Sequence, residues 1–307
     1  MNDKQDFGML VDEAMSNAAL SAMRPVVEKE LLHYEIFQAL DAEKLLKDLV
    51  FQGGTALRLC RGSDRFSEDL DFAGGPNFSA TSMARIKECV EQRIGEKFGL
   101  KVAVSNKPAK AGGDGIDRVK VEKWWISIET APGNPAMPRQ RIKLEIANIP
   151  AHTRESVPLR ANYASVGAMP TIFVNTESLG EIMADKVLAF PTSLFDSAGR
   201  PVAADSTKIR HRDIWDLAWL TRQGTQPDAR LVAAKIGDYG VEGYQKMLDQ
   251  AIGRLPAIVK SQQFKAQMTR FIDADTVGKN LSGDAHFDYL ASVVGGLLLQ
   301  TRADLPG

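Results

Sequence analysis

Residues 53–72, GGTALRLCRGSDRFSEDLDF, constrain this chain more than any other stretch. An apolar run, Leu49-Val50-Phe51, ends in paired glycines, a helix-like segment opens at Thr55, and Asp69-Leu70-Asp71-Phe72 alternates acid with apolar. Alternation at period two marks a half-buried strand, so Asp69 and Asp71 share one face while Leu70 and Phe72 anchor the other. The two carboxylates then stand about 6 to 7 Å apart at their backbones, close enough to converge on divalent cations. Hard oxygen ligands suit magnesium, with manganese as its substitute, and such ions share their remaining positions with water and substrate phosphates. Alone, an Asp-x-Asp is more often a solvated strand edge. Here Gly53-Gly54 leads straight into a helix start, where unsatisfied amides and the helix dipole favour a phosphate, and that points to nucleotide chemistry.

The 307 residues, 44% of them hydrophobic, can bury a sizeable core in one large or two modest domains. With 38 basic and 39 acidic residues no global field advertises a nucleic-acid partner, so local patches would have to supply one. Cys60 and Cys89 form no metal-binding or disulfide pattern, which fits a reducing cytoplasm, and Cys60 beside Leu57 and Leu59 reads as an inert buried thiol. The N-terminus shows no basic segment followed by an apolar run, and residues 291–299 are too short to span a bilayer, so a cytoplasmic protein without a membrane partner is expected.

Helical spacing predicts helices over 8–23 and from Pro25 to about Leu40, with Glu28, Glu30, His33 and Glu35 as scattered solvated side chains and Asp41 capping a short helix over 42–47. Ser79 or Thr81 caps a long helix to Phe98, closed by Gly99, and strands follow over 100–104, 119–130, 139–147 and 171–174. The connector 106–115 reads as a mobile loop, whose Lys107 and Lys110 either meet a phosphate backbone or are simply solvated. In the strand RIKLEI, Ile142, Leu144 and Ile146 point inward and Arg141, Lys143 and Glu145 outward, which by itself makes Lys143 and Glu145 a surface pair. Trp124 and Trp125 read as packing residues, with stacking on a base as the alternative.

Beyond 175 the pattern turns helical. Leu179, Ile182, Met183, Lys186 and Phe190 form one stripe, which turns Lys186 inward, where an ammonium needs a partner such as carboxylates or a triphosphate. Asp185 points elsewhere and reads as solvated. Asp213 and Asp216 lie on one side of the next helix, with His211 and Arg212 off that side and exposed. Asp213 pairs with Lys186 or orients an incoming hydroxyl, Asp216 binds Arg210 or caps a neighbour, and plain interhelical ion pairing is the alternative for both. The linker 192–209 carries Arg200 and Lys208, and four helices are expected over 228–238, 241–253, 257–274 and 284–302.

Taken together, the glycine turn and Asp-x-Asp resemble the nucleotidyltransferase superfamily and, within it, the AbiEii-type abortive-infection toxins, which include the MenT toxins. Glu181-Ile-Met-Ala-Asp-Lys186 and Arg210-His-Arg-Asp213-Ile-Trp-Asp216-Leu are similar to that family's later lysine and Arg-x-x-Asp-x-x-Asp-Leu motifs, so the matches span residues 53–217. The resemblance implies an α+β fold: a nucleotidyltransferase-like mixed sheet with helices over 1–175, then a mostly helical domain over 176–307 that contributes Lys186 and Asp213 to the site. It implies catalytic acids Asp69 and Asp71, with Glu145 from a neighbouring strand as a third carboxylate for Mg2+ or Mn2+. Gly53, Gly54 and Thr55 would cradle phosphate, Arg65 and Ser67 would contact the same group or order the loop, and Lys186 would offset charge accumulating in transfer. The implied substrate is a nucleoside triphosphate, the acceptor the tRNA 3′ end, the outcome a block of translation, and the partner a cognate antitoxin, either a protein or a functional antagonist. Two alternatives stand beside it: nucleotide transfer to protein, and a non-catalytic nucleotide- or partner-binding module whose acids are structural.

Overall fold

A computed structural model describes residues 4–107, 119–134 and 139–305, and the chain divides after Thr176 into two compact units. Among the described residues, the first unit contains helices α1 (Phe7–Ala14), α2 (Arg24–Ala42), α3 (Gly53–Ala56), α4 (Ile86–Phe98) and α5 (Ala164–Gly167). Its strands are β1 (Val50–Gln52), β2 (Leu70–Ala73), β3 (Lys101–Lys107), β4 (Val121–Glu129), β5 (Gln140–Ala147), β6 (Glu155–Pro158) and β7 (Phe173–Thr176). They form one mixed sheet in the order β3-β4-β5-β2-β1-β7-β6. β2 runs antiparallel to β1 and parallel to β5, β5 continues antiparallel through β4 to β3, and β1 pairs in parallel with β7.

The period-two pattern decides which face is buried. Phe51, Leu70, Phe72, Ile142, Leu144 and Ile146 are all buried, and Phe37 of α2 packs edge-on against Phe51 and Phe72 with ring centroids 5.0 and 6.1 Å away. On the other face the register sets a transverse row: Gln52 opposite Asp71, Asp71 opposite Glu145, and Glu145 opposite Lys123. Sequence-distant polar residues thus line up across β1, β2, β5 and β4.

Several local expectations change. The helix after the glycines begins at Gly53 itself, and the turn of chain over Leu57–Arg61 that continues it closes at Gly62, whose φ of +79° lies in the left-handed region that favours glycine. Asp41 does not cap a new helix, because α2 runs through to Ala42. Glu28, Glu30, His33 and Glu35 are buried, not solvated: Glu28 accepts from Gln140 at 2.7 Å, Glu30 takes Arg58 through both oxygens, and Glu35 holds Arg93 and Lys97 at 2.9 and 2.6 Å. Their partners lie far along the chain, so helical spacing alone showed only charge. α1 ends at Ala14, short of the expected 23, the strand β6 was not anticipated, and the last strand is shifted to Phe173–Thr176. The expected loop over 106–115 falls outside the described residues from 108 onward, Lys110 included, whereas Lys107 ends β3.

In the second unit the described helices are α6 (Leu179–Thr192), α7 (His211–Arg222), α8 (Ala229–Tyr239), α9 (Tyr244–Val259), α10 (Gln262–Phe271), α11 (Ala274–Asn280) and α12 (Asp284–Asp304). Ser178, Asp228, Ser261 and Asp273 each accept an amide hydrogen bond at a helix start, which is why helices begin there. The expected helix over 257–274 is split, because Ser261 ends α9 and caps α10. α7 is buried almost all round, from His211 through Leu220 except Arg212. His211, expected to be exposed, packs instead beside Phe264.

Candidate active site

The bend after β1 is shaped by what closes on it. Gly53 has φ +78°, and a Cβ there would lie 3.1 Å from Asp71 Oδ2. A Cβ on Gly54 would overlap the Arg65 guanidinium and lie 3.1 Å from Ser67 Oγ. Asp71, Arg65 and Ser67 therefore press on a backbone that must have no side chain. Arg65 is only 2% exposed and donates from Nη1 to the Phe66 carbonyl at 2.6 Å, while Ser67 is buried beside it.

Thr55, expected to cradle phosphate, has its hydroxyl elsewhere: it is buried and donates to the backbone carbonyl of Asp69. The preceding carbonyl, of Glu68, lies 3.0 Å from His33 Nε2, and the Glu68 carboxylate pairs with Lys29 one helical turn earlier on α2. Because a carbonyl can only accept, Nε2 of His33 carries the hydrogen. Burial pushes His33 down to about 4, so the ring is neutral. Two consecutive carbonyls at the entrance to β2 are thus held by side chains, and Asp69 is presented from a fixed backbone.

At the acids, Asp69 is one-third exposed and its Oδ2 lies 3.3 Å from Lys143 Nζ. Lys143 also sits 2.8 Å from Glu145 Oε2, and Lys123 sits 2.7 Å from Glu145 Oε1. Burial by itself would raise Glu145, but hydrogen bonds from Lys123 and Lys143 outweigh it and hold the carboxyl below its ordinary value. Burial would lower Lys143, yet Glu145, Asp69 and Asp71 together hold it above. Glu145 and Lys143 are therefore both charged. Glu145, expected as a third metal carboxylate, has an ammonium against each of its oxygens. Among the described residues no three His, Cys, Asp or Glu side chains are grouped so that they could hold a metal ion.

A two-carboxylate site is a different matter. Asp69 and Asp71 offer hard oxygens from one strand, an ammonium already stands against Asp69, and the Gln52 side-chain oxygen, in the row beside Asp71, is buried with no hydrogen-bond partner among the described residues. That donor set fits a hard divalent cation of the magnesium type.

In the second unit Lys186 is buried and paired, 2.9 Å from Asp213 Oδ1 and 2.7 Å from Asp216 Oδ2, while Arg210 Nε reaches Asp213 Oδ2 at 2.6 Å. Burial alone would raise Asp213; Arg210 and Lys186 instead hold it far below the ordinary carboxylate range. Asp185 is not solvated. It joins Glu177 and Glu181 around Lys235, an ammonium with no exposed surface, at 3.2, 2.9 and 2.7 Å. This cluster escaped the sequence reading, although acids at four-residue spacing over 177, 181 and 185 were its visible sign.

The family model described as "Nucleotidyl transferase AbiEii toxin, Type IV TA system" matches residues 35–291. The chain belongs to the AbiEii family. As an AbiEii protein it is a nucleotidyltransferase of toxin-antitoxin systems, a membership that carries a nucleoside triphosphate substrate, an antitoxin partner and the general use of divalent metal ions. Among solved structures it is similar to MenT4, a nucleotidyltransferase toxin from Mycobacterium tuberculosis H37Rv, with TM-score 0.56 and 16% identity over 99% of this chain and 91% of that one. It is also similar to JHP933 from Helicobacter pylori, with TM-score 0.50 and 17% identity over 91% of this chain and 93% of that one. At such identities the likeness is one of fold, and it bears out the α+β architecture with a helical C-terminal part. No curated protein matches the AbiEii chain in sequence. Among its described residues no helix is long and apolar enough to cross a membrane.

Proposed function

We propose that this AbiEii protein transfers a nucleotide from a nucleoside triphosphate to the 3′ end of tRNA, and so blocks translation. The observation that carries the reading is the approach of Asp71 and Arg65, with Ser67, onto the Gly53-Gly54 bend, because it joins a carboxylate pair to an amide-rich turn suited to phosphate. Asp69 and Asp71 would hold magnesium or manganese, which when bound supplies charge neutralisation at the triphosphate. The free amides of the bend and the Arg65 and Ser67 side chains bind phosphate oxygens and orient the α-phosphorus toward the attacking hydroxyl. Thr55 and His33 keep the Asp69 backbone from moving as charge develops. In transfer, the acceptor hydroxyl oxygen bonds to the α-phosphorus and gives its proton to water, the bond from the α-phosphorus to the bridging β-phosphate oxygen breaks, and pyrophosphate leaves.

The test is incubation of the purified protein with each labelled nucleoside triphosphate, Mg2+ or Mn2+, and total cellular RNA and protein as competing acceptors. The expected result is label in the tRNA fraction that disappears with Asp69→Ala. Label moving with polypeptide would replace the acceptor, and label persisting in Asp69→Ala would remove the proposed role of the acid pair.

A further inference from the structure

We infer that β5 contributes an ammonium, not a carboxylate, to substrate binding: Lys143 contacts phosphate oxygens of the nucleoside triphosphate, and Glu145 positions it. The inference rests on the proposed nucleotidyl transfer and deepens its account of the site. Three observations carry it. Lys143 Nζ bridges Glu145 Oε2 at 2.8 Å and Asp69 Oδ2 at 3.3 Å, so it stands at the edge of the acid pair and not on a remote surface. Glu145 is held from both sides, Oε2 by Lys143 and Oε1 by Lys123 at 2.7 Å, so it is fixed beside the acid pair. Lys143 is one-quarter exposed, so a ligand entering beside Asp69 can reach its ammonium without unfolding the strand.

The electrostatics point the same way. Glu145 lies between Lys123 and Lys143, and Lys143 also faces Asp69. A single divalent cation on Asp69 and Asp71 would draw Asp69 away from Lys143, and the freed ammonium would then face the negative group that the cation recruits. Held by Glu145, it would already point there, so little side-chain freedom would be lost on binding. Lys123, on the far oxygen, would keep Glu145 from swinging into the cation's place.

The experiment measures three affinities by calorimetry on the full chain: a non-hydrolysable nucleoside triphosphate analogue with Mn2+ present, the same analogue with chelator present, and Mn2+ without nucleotide. Lys143→Met is expected to weaken triphosphate binding in the presence of Mn2+ at least tenfold and leave Mn2+ binding without nucleotide unchanged or tighter, whereas Lys143→Arg retains triphosphate binding within about threefold. Glu145→Gln is expected to keep Mn2+ affinity within about threefold and to weaken triphosphate binding. Circular dichroism melts of each variant separate these effects from unfolding. A tenfold loss of Mn2+ affinity in Glu145→Gln would make Glu145 a metal ligand and overturn the inference, as would wild-type triphosphate affinity in Lys143→Met. If the wild-type protein binds no triphosphate under either condition, the nucleotidyl-transfer reading fails as well, an outcome distinct from failure of the Lys143 assignment alone.

Discussion

The hydroxyl of Thr55 donates to the backbone carbonyl of Asp69, tying the first helical turn after the glycine pair to the entrance of the acid strand. Replacing it with valine keeps the shape but leaves that carbonyl without its donor, at a cost of about 1 to 3 kcal/mol. Thr55→Val should therefore lower the unfolding free energy measured in urea by that amount and reduce nucleotide transfer beyond what the unfolded fraction explains, while Thr55→Ser restores most of both. A Thr55→Val protein with wild-type turnover would show that the Asp69 backbone needs no such anchor.

Gly54→Ala places a methyl group where the Arg65 guanidinium lies. Arg65 is buried and bonded to the Phe66 carbonyl, so it cannot simply swing into solvent. Triphosphate affinity should fall at least tenfold, with a smaller loss of stability, about 1 to 3 kcal/mol as for an overpacked interior position. Binding calorimetry beside thermal melts checks the split; an unchanged affinity would mean that Arg65 is not needed for phosphate.

Lys186 is the ammonium shared by two buried carboxylates, Asp213 and Asp216. Lys186→Met leaves both short of positive charge, and breaking a buried pair in this way costs about 3 to 5 kcal/mol. Chemical denaturation should show that loss, with part of it recovered in the double variant Lys186→Met with Asp216→Asn. A mild effect in the single variant would mean that Arg210 alone suffices for the cluster.

His33 supplies a pH dependence. In the unfolded chain it titrates near 6.5, and burial lowers it to about 4 when folded. Between those values the unfolded chain binds a proton that the folded chain refuses, so stability is full above the upper value and falls as pH drops through the window. The total loss is about 3 kcal/mol. Urea titrations across that range should show the slope, and His33→Gln, which keeps a donor for the Glu68 carbonyl but does not titrate, should flatten it. Equal slopes in both proteins would assign the acid sensitivity to other groups.

Much of the architecture was legible because it rests on short-range patterns. Alternation over residues 69–72 and 141–146 told the buried face of β2 and β5 from the polar one, and the left-handed glycines at 53 and 99 fell where turns were needed. What could not be read were roles set by partners far away in sequence. The bond of the Thr55 hydroxyl to the Asp69 carbonyl, and the approach of Lys123, across the sheet on β4, to Glu145, have no local sign in the sequence. The acids of α2 and the ladder around Lys235 were missed for the same reason: a charged residue on a helix shows its spacing but not the counter-charge that lets it be buried.

The transverse row has a consequence for how the protein is made. Gln52 and Asp71 meet through an antiparallel pair whose strands are close in sequence, but Asp71 gains its neighbour Glu145 only when β5, made after β3 and β4, docks in parallel. A nascent chain, or one truncated before that strand, would lack the row. Harmful activity would then arrive in one late step, leaving an interval in which a counteracting partner can already be present.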